Sequence, residues 1–468
     1  MLPYNPSSKS SILSHAQLLL GKSLKDLYVD AKIPNSGRGS MGICVEKYHF
    51  KYEPNSEAAP DFPDAGVELK CTPLKLVADG SMVPKERLVL NIIDYIKEGK
   101  ASFENSSFFK KNKLILLMFY LHEKGIPVIE LIFKIIRLWN FPEIDLKIIR
   151  DDWEKIHWKM THGLAHEISE GDTLYLGACT KGSKAGAEMR KQLVEGAPLA
   201  QQRAYSIKPK YLKTIILDSI MHPEMCNNVF LSEKQKEKFA KISEEASNIV
   251  NSIEEYMPNE TFEQLVERKF KPYYGHTIYQ IEESLGVTIT NKVKAISHAT
   301  ICAILGVKTS KIKEFEKANL QQKSIRLEPN GNLKESMVFG QIKYNEIVNE
   351  NHWEDSEWYE TLTQRFLFIV FKKNINKDPK SSTLEKVFFW TMPQSDLKLA
   401  KVFWEDTKNK IRRGDFSNFI KSSDNNICHV RPKAINSNDL MNTPFGPQKK
   451  KGYWLNRSYI LKIIGQNS

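Results

Sequence analysis

Apolar residues in the first 220 positions fall into short segments, some spaced as in helices and others as in strands. Helical spacing covers 16–27, with a break at Gly21, and also 40–50 and 145–163. Strand-like apolar runs are VELKCTPL (67–74), LILLMFY (114–120) and LYLGACT (174–180). Strands interspersed with helices over this length predict an α/β (α+β) domain, in which helices flank a mixed central sheet.

The second half of the chain repeats the order of segments found in the first. DFPDAGVELKCTPL (61–74) lies without gaps over EFEKANLQQKSIRL (314–327). Further pairs in the same order are LLGKSLKDL with YYGHTIYQI, MGICVE with ATICAI, and GACTKGSKA with HVRPKAINS. We therefore predict one fold used twice, in domains 1–230 and 258–468. Between them, 231–257 is rich in Lys, Glu and Ser and predicts an exposed helical linker.

The net charge of the chain indicates which classes of molecule it could bind. The 468 residues carry a net charge of +12, with 41% apolar and 26% charged residues. This profile is typical of a folded soluble protein, and its positive excess indicates a polyanion, nucleic acid before an anionic membrane. The most apolar stretches, 114–121 and 128–136, are too short or too interrupted to span a bilayer. We expect no membrane partner.

The cysteines indicate neither a zinc site nor a redox motif. Six are scattered along the chain, without a CxxC pair or a His at zinc spacing. Together with an N-terminal segment that lacks a signal-peptide pattern, they predict reduced thiols in a cytoplasmic protein.

The strongest chemical signal is Asp61, followed by Glu68-x-Lys70. Residues two apart on a strand share a face, about 6.6 Å apart along the backbone. Pro63 and Gly66 lie in a predicted turn that would bring Asp61 back beside Glu68. Two adjacent carboxylates favour Mg²⁺, and Lys70 could orient an attacking water or stabilise charge on a phosphate. An acid-x-base trio is common on ordinary strands, so its apolar context and the upstream acid carry the prediction.

The segment PDFPDAGVELKCTPL closely resembles the catalytic segment of the MutH family and of the related GATC-cutting type II restriction endonucleases, within the PD-(D/E)xK nuclease superfamily. SMGICVEKY and the segment from RDDWEKI to GACTKG extend the resemblance. KERLVLNIIDY, WEDSEWYETLTQRFLF and HVRPKAINS resemble the larger, two-domain restriction enzymes. The resemblance implies two tandem MutH-like nuclease-type domains, the first of them catalytic.

By this resemblance, Asp61 and Glu68 bind Mg²⁺ and Lys70 assists the attacking water. Glu46 would orient Lys70 or touch the metal region, the alternative being a carboxylate on a helix surface. Lys111 and Lys113 fall where the family contacts DNA near the cut, the alternative being a solvated charged turn. Lys181 falls in the base-reading segment, although the first half lacks the Arg that MutH has there.

The second half resembles a copy that keeps DNA binding and has lost catalysis. When the two halves of the sequence are aligned, Gln321 corresponds to Glu68 and Ile304 to Glu46. Lys323 corresponds to Lys70, so the lysine is kept. Arg431-Pro432-Lys433-Ala434 preserves the base-reading segment of the family, in which Arg431 and Lys433 would contact DNA. The two-domain enzymes use this half as an allosteric DNA-binding domain.

We therefore expect a type II restriction endonuclease that cuts double-stranded DNA at GATC with Mg²⁺. Two catalytic halves meeting on a two-fold symmetric site would suit a cut in both strands, which makes dimerisation on DNA an open expectation. The alternatives are a mismatch-repair nickase and a DNA-binding protein without catalysis.

Overall fold

The protein is described by a computed structural model that covers residues 2–29, 40–53, 59–77, 80–181, 188–222, 237, 246–290, 292, 295–309, 311–376 and 378–466. It divides into two compact units. The first contains Met1–Phe262 together with Thr309–Asn319, and the second contains Glu263–Lys308 together with Leu320–Ser468. No helix in these described ranges is long and apolar enough to cross a membrane.

The first unit mixes helices with two principal sheets. Its helices are α1 Lys9–Gln17, α2 Leu24–Leu27, α3 Ser40–Cys44, α4 Tyr95–Glu98, α5 Ser107–Asn112, α6 Glu143–Thr161 and α7 Pro209–Ile220. Its strands are β1 Glu68–Leu76, β2 Met82–Pro84, β3 Leu88–Ile92, β4 Ile115–Leu121, β5 Phe133–Trp139, β6 Leu176–Thr180, β7 Met189–Arg190, β8 Ala200–Gln201 and β9 Arg203–Ile207. The predicted strands at 67–74, 114–120 and 174–180 coincide with β1, β4 and β6.

The main sheet has the strand order β2-β1-β4-β5, in which the most deeply buried strand, β4, is an inner one. Almost every side chain of β4 is buried, as expected of a central strand covered on both faces. It pairs in parallel with β1 and antiparallel with β5. Helix α6 turns Ile148, Trp153 and Ile156 inward, which is the amphipathic face predicted for 145–163. A second sheet has the order β3-β9-β6.

The second unit repeats this arrangement. Its helices are α8 Phe262–Phe270, α9 Ile278–Leu285, α10 Ile296–Leu305, α12 Tyr344–Ile347, α13 Glu357–Leu362, α14 Gln394–Arg412 and α15 Arg457–Gln466, and α11 Lys313–Ala318 precedes its first strand. Its strands are β10 Gln321–Leu327, β11 Met337–Gln341, β12 Phe366–Lys372, β13 Thr383–Trp390, β14 Cys428–Pro432, β15 Leu440–Met441, β16 Gln448–Lys449 and β17 Lys451–Leu455.

Sheet order and register confirm the predicted duplication of one fold. The orders β10-β12-β13 and β11-β17-β14 match β1-β4-β5 and β3-β9-β6. Lys70 lies opposite Leu117 on the parallel neighbour of β1, and Lys323 lies opposite Phe368 on the parallel neighbour of β10. The chain is therefore an α/β protein of two tandem domains, each with a mixed sheet flanked by helices.

The two copies diverge just before β10. Glu314, which the sequence pairs with Asp61, lies on α11 within the first unit. Its carboxylate accepts hydrogen bonds from the backbone N–H groups of Ile249 and Val250, at 3.0 to 3.1 Å. Phe315 and Ala318 are buried on the same helix. Glu314 thus forms structural hydrogen bonds within the first unit. It does not occupy the place in the second unit that would correspond to that of Asp61 in the first.

Most of the predicted linker, 231–257, lies outside the described residues. Within its described part, Ile253–Glu255 forms a 3₁₀ turn. The sequence limits proposed for the two domains therefore stay a prediction.

Candidate active site

A change of helix type places Glu46. Helix α3 continues into a π-helical turn, Val45–His49, in which Val45 and His49 are buried. Single π turns often occur at functional sites, because the extra residue per turn changes the direction of the side chains around it. The Glu46 carboxylate lies near those of Asp61 and Glu68 and near the ammonium groups of Lys70 and Lys111.

A tight turn brings Asp61 to the start of β1. Phe62 pairs with Val67 across this turn, and Gly66 adopts a positive φ of 64°, which suits a residue without a Cβ. The Asp61 carboxylate accepts a hydrogen bond of 2.8 Å from Leu69 N–H. Its own N–H donates to Glu68 Oε2 at 3.3 Å. Asp61 and Glu68, seven residues apart in the chain, are neighbours at one end of the sheet.

Two lysines meet the Glu68 carboxylate. Lys70 Nζ lies 2.6 Å from Glu68 Oε1, on the face of β1 that the two residues share. Lys111 Nζ lies 3.6 Å from the same oxygen and comes from α5. The sequence placed Lys111 among the DNA contacts, and its position at the end of α5, just before β4, brings it into the carboxylate cluster.

Burial controls the charge of this cluster. Glu68 is only 1% exposed, and this burial, aided by the charge of Asp61 and opposed by Lys70, raises its pKa to about 7. Burial also raises the pKa of Glu46 to about 7, with Asp61 as the next cause. Both acids therefore hold protons more tightly than ordinary glutamates, and added positive charge would favour their ionised forms.

Tyr52 belongs to the same cluster, although no motif in the sequence pointed to it. Its N–H donates to the carbonyl of Glu46 at 3.1 Å, and its ring packs edge-on against Phe62 at 5.7 Å. Burial, with the charges of Asp61 and Glu46, raises its pKa well above the ordinary tyrosine range. Its hydroxyl is buried and has no hydrogen-bond partner among the described residues. The cluster thus holds an unused donor beside its carboxylates.

Within the described part of the chain, no group of three or more His, Cys, Asp or Glu side chains is arranged to hold a metal ion. The Asp61 carboxylate is turned toward a backbone N–H, and Glu68 toward the two lysines. The arrangement is therefore a pair of adjacent carboxylates with a third acid and two cations nearby.

The other residues that the sequence assigned to DNA in the first half are Lys113 and Lys181, and they make different contacts. Lys113 is exposed, and its ammonium group lies 5.8 Å from the centre of the Phe109 ring. Lys181 directly follows β6 and donates its N–H to the carbonyl of Gln202 at 2.8 Å. The next residues, 182–187, lie outside the described part of the chain.

The second unit lacks the acids of the first at the equivalent positions. Ile304 is buried in α10, and Gln321 begins β10. Arg431 is exposed at the end of β14, and its guanidinium lies 4.9 Å from the centre of the Trp454 ring. Lys433 Nζ donates to the carbonyl of Phe339 at 3.0 Å.

A duplicated α/β fold with adjacent carboxylates and a lysine at one end of a mixed sheet defines a class, the nucleases of the MutH type. A family model described as DNA mismatch repair enzyme MutH matches residues 50–152 and 305–401, one region in each half. These regions contain β1 with β4 and β10 with β12, so the match follows the duplication.

Individual relatives place the chain within that class. The type II restriction enzyme Sau3AI of Staphylococcus aureus is 34% identical over 484 aligned positions, covering 96% of this chain and 93% of that enzyme. The DNA mismatch repair protein MutH of Serratia proteamaculans is 25% identical and covers 46% of this chain but 95% of its own length. MutH of Vibrio campbellii is 23% identical, with 45% and 94% covered. The chain belongs to the family of MutH-related, two-domain type II restriction endonucleases and is a site-specific deoxyribonuclease.

Proposed function

We propose that this restriction endonuclease cleaves both strands of duplex DNA at GATC with Mg²⁺, using Asp61, Glu68, Lys70 and Glu46. The observation that carries the proposal is the convergence of Asp61 and Glu68 beside Lys70. The GATC sequence rests on the resemblance of PDFPDAGVELKCTPL (60–74) to the catalytic segment of MutH and of the related GATC-cutting restriction endonucleases.

The donor set fits a hydrated divalent cation. Mg²⁺ in proteins uses one or two carboxylates and keeps several waters. Asp61 and Glu68 would supply the carboxylates, and the buried hydroxyl of Tyr52, which has no hydrogen-bond partner among the described residues, would be available to donate to a bound water. When bound, Mg²⁺ would make a coordinated water more acidic and help to neutralise charge on the phosphate.

The lysines act on the groups that react. Lys70, held at 2.6 Å by Glu68, would orient the attacking water through its ammonium donors. Lys111, whose ammonium group lies 3.6 Å from the same carboxylate oxygen, would stabilise negative charge on the phosphate during attack. Glu46 would adjust the net charge of the cluster, since its raised pKa allows it to gain or lose a proton near neutrality.

The second unit would bind another GATC site as an effector. Arg431 is exposed and its guanidinium plane is supported by Trp454, which leaves its donors available for a guanine edge. The Ile and Gln residues at the acid positions support a unit that binds without cutting. Because GATC has two-fold symmetry, dimerisation on DNA would bring one catalytic centre to each strand.

Incubation of supercoiled plasmids with the full chain tests the proposal. Plasmids with no, one or two GATC sites would be compared in Mg²⁺, in Mn²⁺ and in Ca²⁺, and the product ends sequenced. We expect linear products with ends at GATC in Mg²⁺ and Mn²⁺ and little cutting in Ca²⁺, which accepts looser geometry. Nicked circles alone would indicate a nickase, and intact plasmid bound by the protein would indicate a DNA-binding protein without catalysis.

A further inference from the structure

Two lysines of the second unit meet at Phe339. Lys323 comes from β10, and its ammonium group lies 4.7 Å from the centre of the Phe339 ring. Lys433 follows β14, and its ammonium group donates to the carbonyl of the same residue at 3.0 Å. We call Lys323 and Lys433 the lysine pair.

Close strand packing holds the lysine pair in place. A Cβ at Gly452, on β17, would lie 2.9 Å from the carbonyl oxygen of Gly340 and 3.1 Å from Cδ of Lys433. Only glycine therefore allows β17 to approach β11 this closely while the Lys433 stem passes beside it. The position of Lys433 is thus set by the sheet and not only by its own hydrogen bond.

Among the described residues, no carboxylate lies within ion-pair distance of either member of the lysine pair. Gln321 and Ile304 replace Glu68 and Glu46, and Glu314 is engaged in the first unit. Burial lowers the pKa of Lys323, and the charge of Lys433 lowers it further. A bound anion would favour the charged form of Lys323 and so offset both causes of its lowered pKa.

The two equivalent centres therefore have opposite ligand preferences. In the first unit, Asp61, Glu68 and Glu46 accompany Lys70 and Lys111, which suits a divalent cation bound together with a phosphate. In the second unit, two lysines occur without an acid, so a metal ion would be repelled and a phosphate oxygen attracted directly. Loss of the acids has therefore changed the preferred ligand of the centre from a cation to an anion, in addition to removing catalysis.

We propose that the lysine pair is a metal-free binding site for one phosphodiester of the effector DNA. By the matched register of β10 and β1, this phosphodiester is the counterpart of the scissile one in the first unit. The inference rests on the proposed effector role of the second unit, and it assigns to Lys323 a function that base reading by Arg431 does not supply.

The full-length enzyme tests the inference through activation. Cleavage of a one-site plasmid is measured while a short GATC duplex is added, and the duplex concentration at half-maximal activation is recorded. Lys323→Met keeps the alkyl stem over Phe339 and removes the charge. We expect it to raise the half-activating concentration by about 10-fold or more, because a charge-assisted contact is lost, and to leave the saturated cleavage rate unchanged.

Two further measurements separate a phosphate contact from a structural effect. The slope of the logarithm of activation affinity against the logarithm of salt concentration should fall by about 0.9 in Lys323→Met. Lys323→Arg should largely restore activation, and Lys398→Met, an exposed lysine of α14, should leave it unchanged. The melting temperature of each variant confirms that it is folded.

The DNA provides an independent test on the unaltered protein. Each phosphate of the effector duplex is replaced in turn by an uncharged methylphosphonate. We expect one position to weaken activation of the wild type but not of Lys323→Met. The inference is overturned if the wild type shows no such position, or if Lys323→Met is activated like the wild type. A wild-type enzyme that no GATC duplex activates would instead overturn the proposed effector role, and the inference with it.

Discussion

Among single residues, Glu68 shows most clearly how opposite influences act on the ionisation of one carboxylate. It is almost completely buried, it accepts hydrogen bonds from a backbone N–H and from Lys70, and Lys111 lies nearby. Burial disfavours its ionised form, and the lysines favour it. A cluster balanced in this way responds strongly to one additional cation, which is the property that a metal-dependent centre requires.

Replacement of Asp61 tests the metal assignment. Asp61→Asn keeps the size of the side chain and an acceptor for Leu69 N–H but removes one charge from the proposed metal site. We expect cleavage to fall by at least about 100-fold while DNA binding is retained, because the carboxylate is assigned to the metal and not to bases. Rates are measured on plasmid DNA in Mg²⁺.

Asp64→Asn is the matched control, since Asp64 lies in the same turn, is exposed and accepts a hydrogen bond from the Ser7 hydroxyl at 3.0 Å. Its activity should stay close to that of the wild type. If Asp61→Asn retained cleavage within tenfold of the wild type, Asp61 would have no place in the mechanism.

The raised pKa values predict how stability depends on pH without divalent cations. Glu46 and Glu68 titrate at about 7 in the folded chain, against an ordinary value of 4.5. The folded state then binds more protons than the unfolded state between these values. Their contribution to stability is present below the ordinary pKa and is lost as the pH rises through 7.

We therefore expect the melting temperature in chelator to fall between about pH 5 and pH 7.5, and to fall less in Glu68→Gln. Mg²⁺ should raise the melting temperature of the wild type more at the higher pH, because the ionised site binds the cation better. Thermal melts of both proteins with and without Mg²⁺ provide the comparison. Identical pH dependence in the two proteins would contradict the assignment.

At the scale of elements, Asp152 connects the long helix α6 to the start of β6. Its buried carboxylate accepts hydrogen bonds from Leu174, Tyr175 and Leu176 N–H, at 2.7, 2.6 and 2.9 Å. Burial raises its pKa to about 6. The carboxylate satisfies the N–H groups of the two residues before β6 and of its first residue, so it stabilises the start of the strand.

Asp152→Ala should destabilise the first unit by about 3 kcal/mol, because buried N–H groups lose their acceptor. A decrease of about 5–10 °C in melting temperature is the corresponding expectation. Glu154→Ala, two positions along the same helix and exposed, is the control and should have little effect. Equal melting temperatures for Asp152→Ala and the wild type would show that water replaces the carboxylate.

Over the full chain, the two copies keep different parts of the sequence pattern of the family. The first unit keeps the acids, and the second keeps the Arg-Pro-Lys-Ala segment. Residues 309–319, which the sequence aligns with the second copy, contribute to the first unit, since α11 packs with α7 there. A fragment that begins at residue 258 would expose Phe315 and Ala318, so tests of the second unit are better made in the full chain.

Arg431 provides the test of that division of tasks. Arg431→Ala should weaken specific effector binding by about 1–3 kcal/mol if the side chain contacts a guanine in bidentate fashion. Cleavage of a plasmid with two GATC sites should then lose its advantage over a plasmid with one. Arg431→Lys, which keeps the charge without the paired donors, should lose most of the same advantage. Wild-type rates for both variants on two-site DNA would exclude Arg431 from effector recognition.

Features of the fold and of the site that depend on local spacing could be predicted from the residues alone. The alternation of β1 places Glu68 and Lys70 on one face, Pro63 and Gly66 allow the turn that returns Asp61, and the ordered repeats indicate two copies of one fold. These properties follow from the period of a strand and from backbone preferences, which act over a few residues.

Contacts between side chains that are distant in the sequence could not be predicted and became apparent in the folded chain. Lys111 reaches Glu68, and Tyr52 lies buried within the influence of the carboxylates. Lys323 and Lys433 meet at Phe339, and Glu314 does not take the position that corresponds to Asp61. Each of these contacts joins separate elements, so it depends on how helices and strands pack and not on the spacing within one segment. The net charge of each centre depends on which ionisable side chains the packing brings together. The packing is therefore the reason that one centre suits a cation and the other an anion.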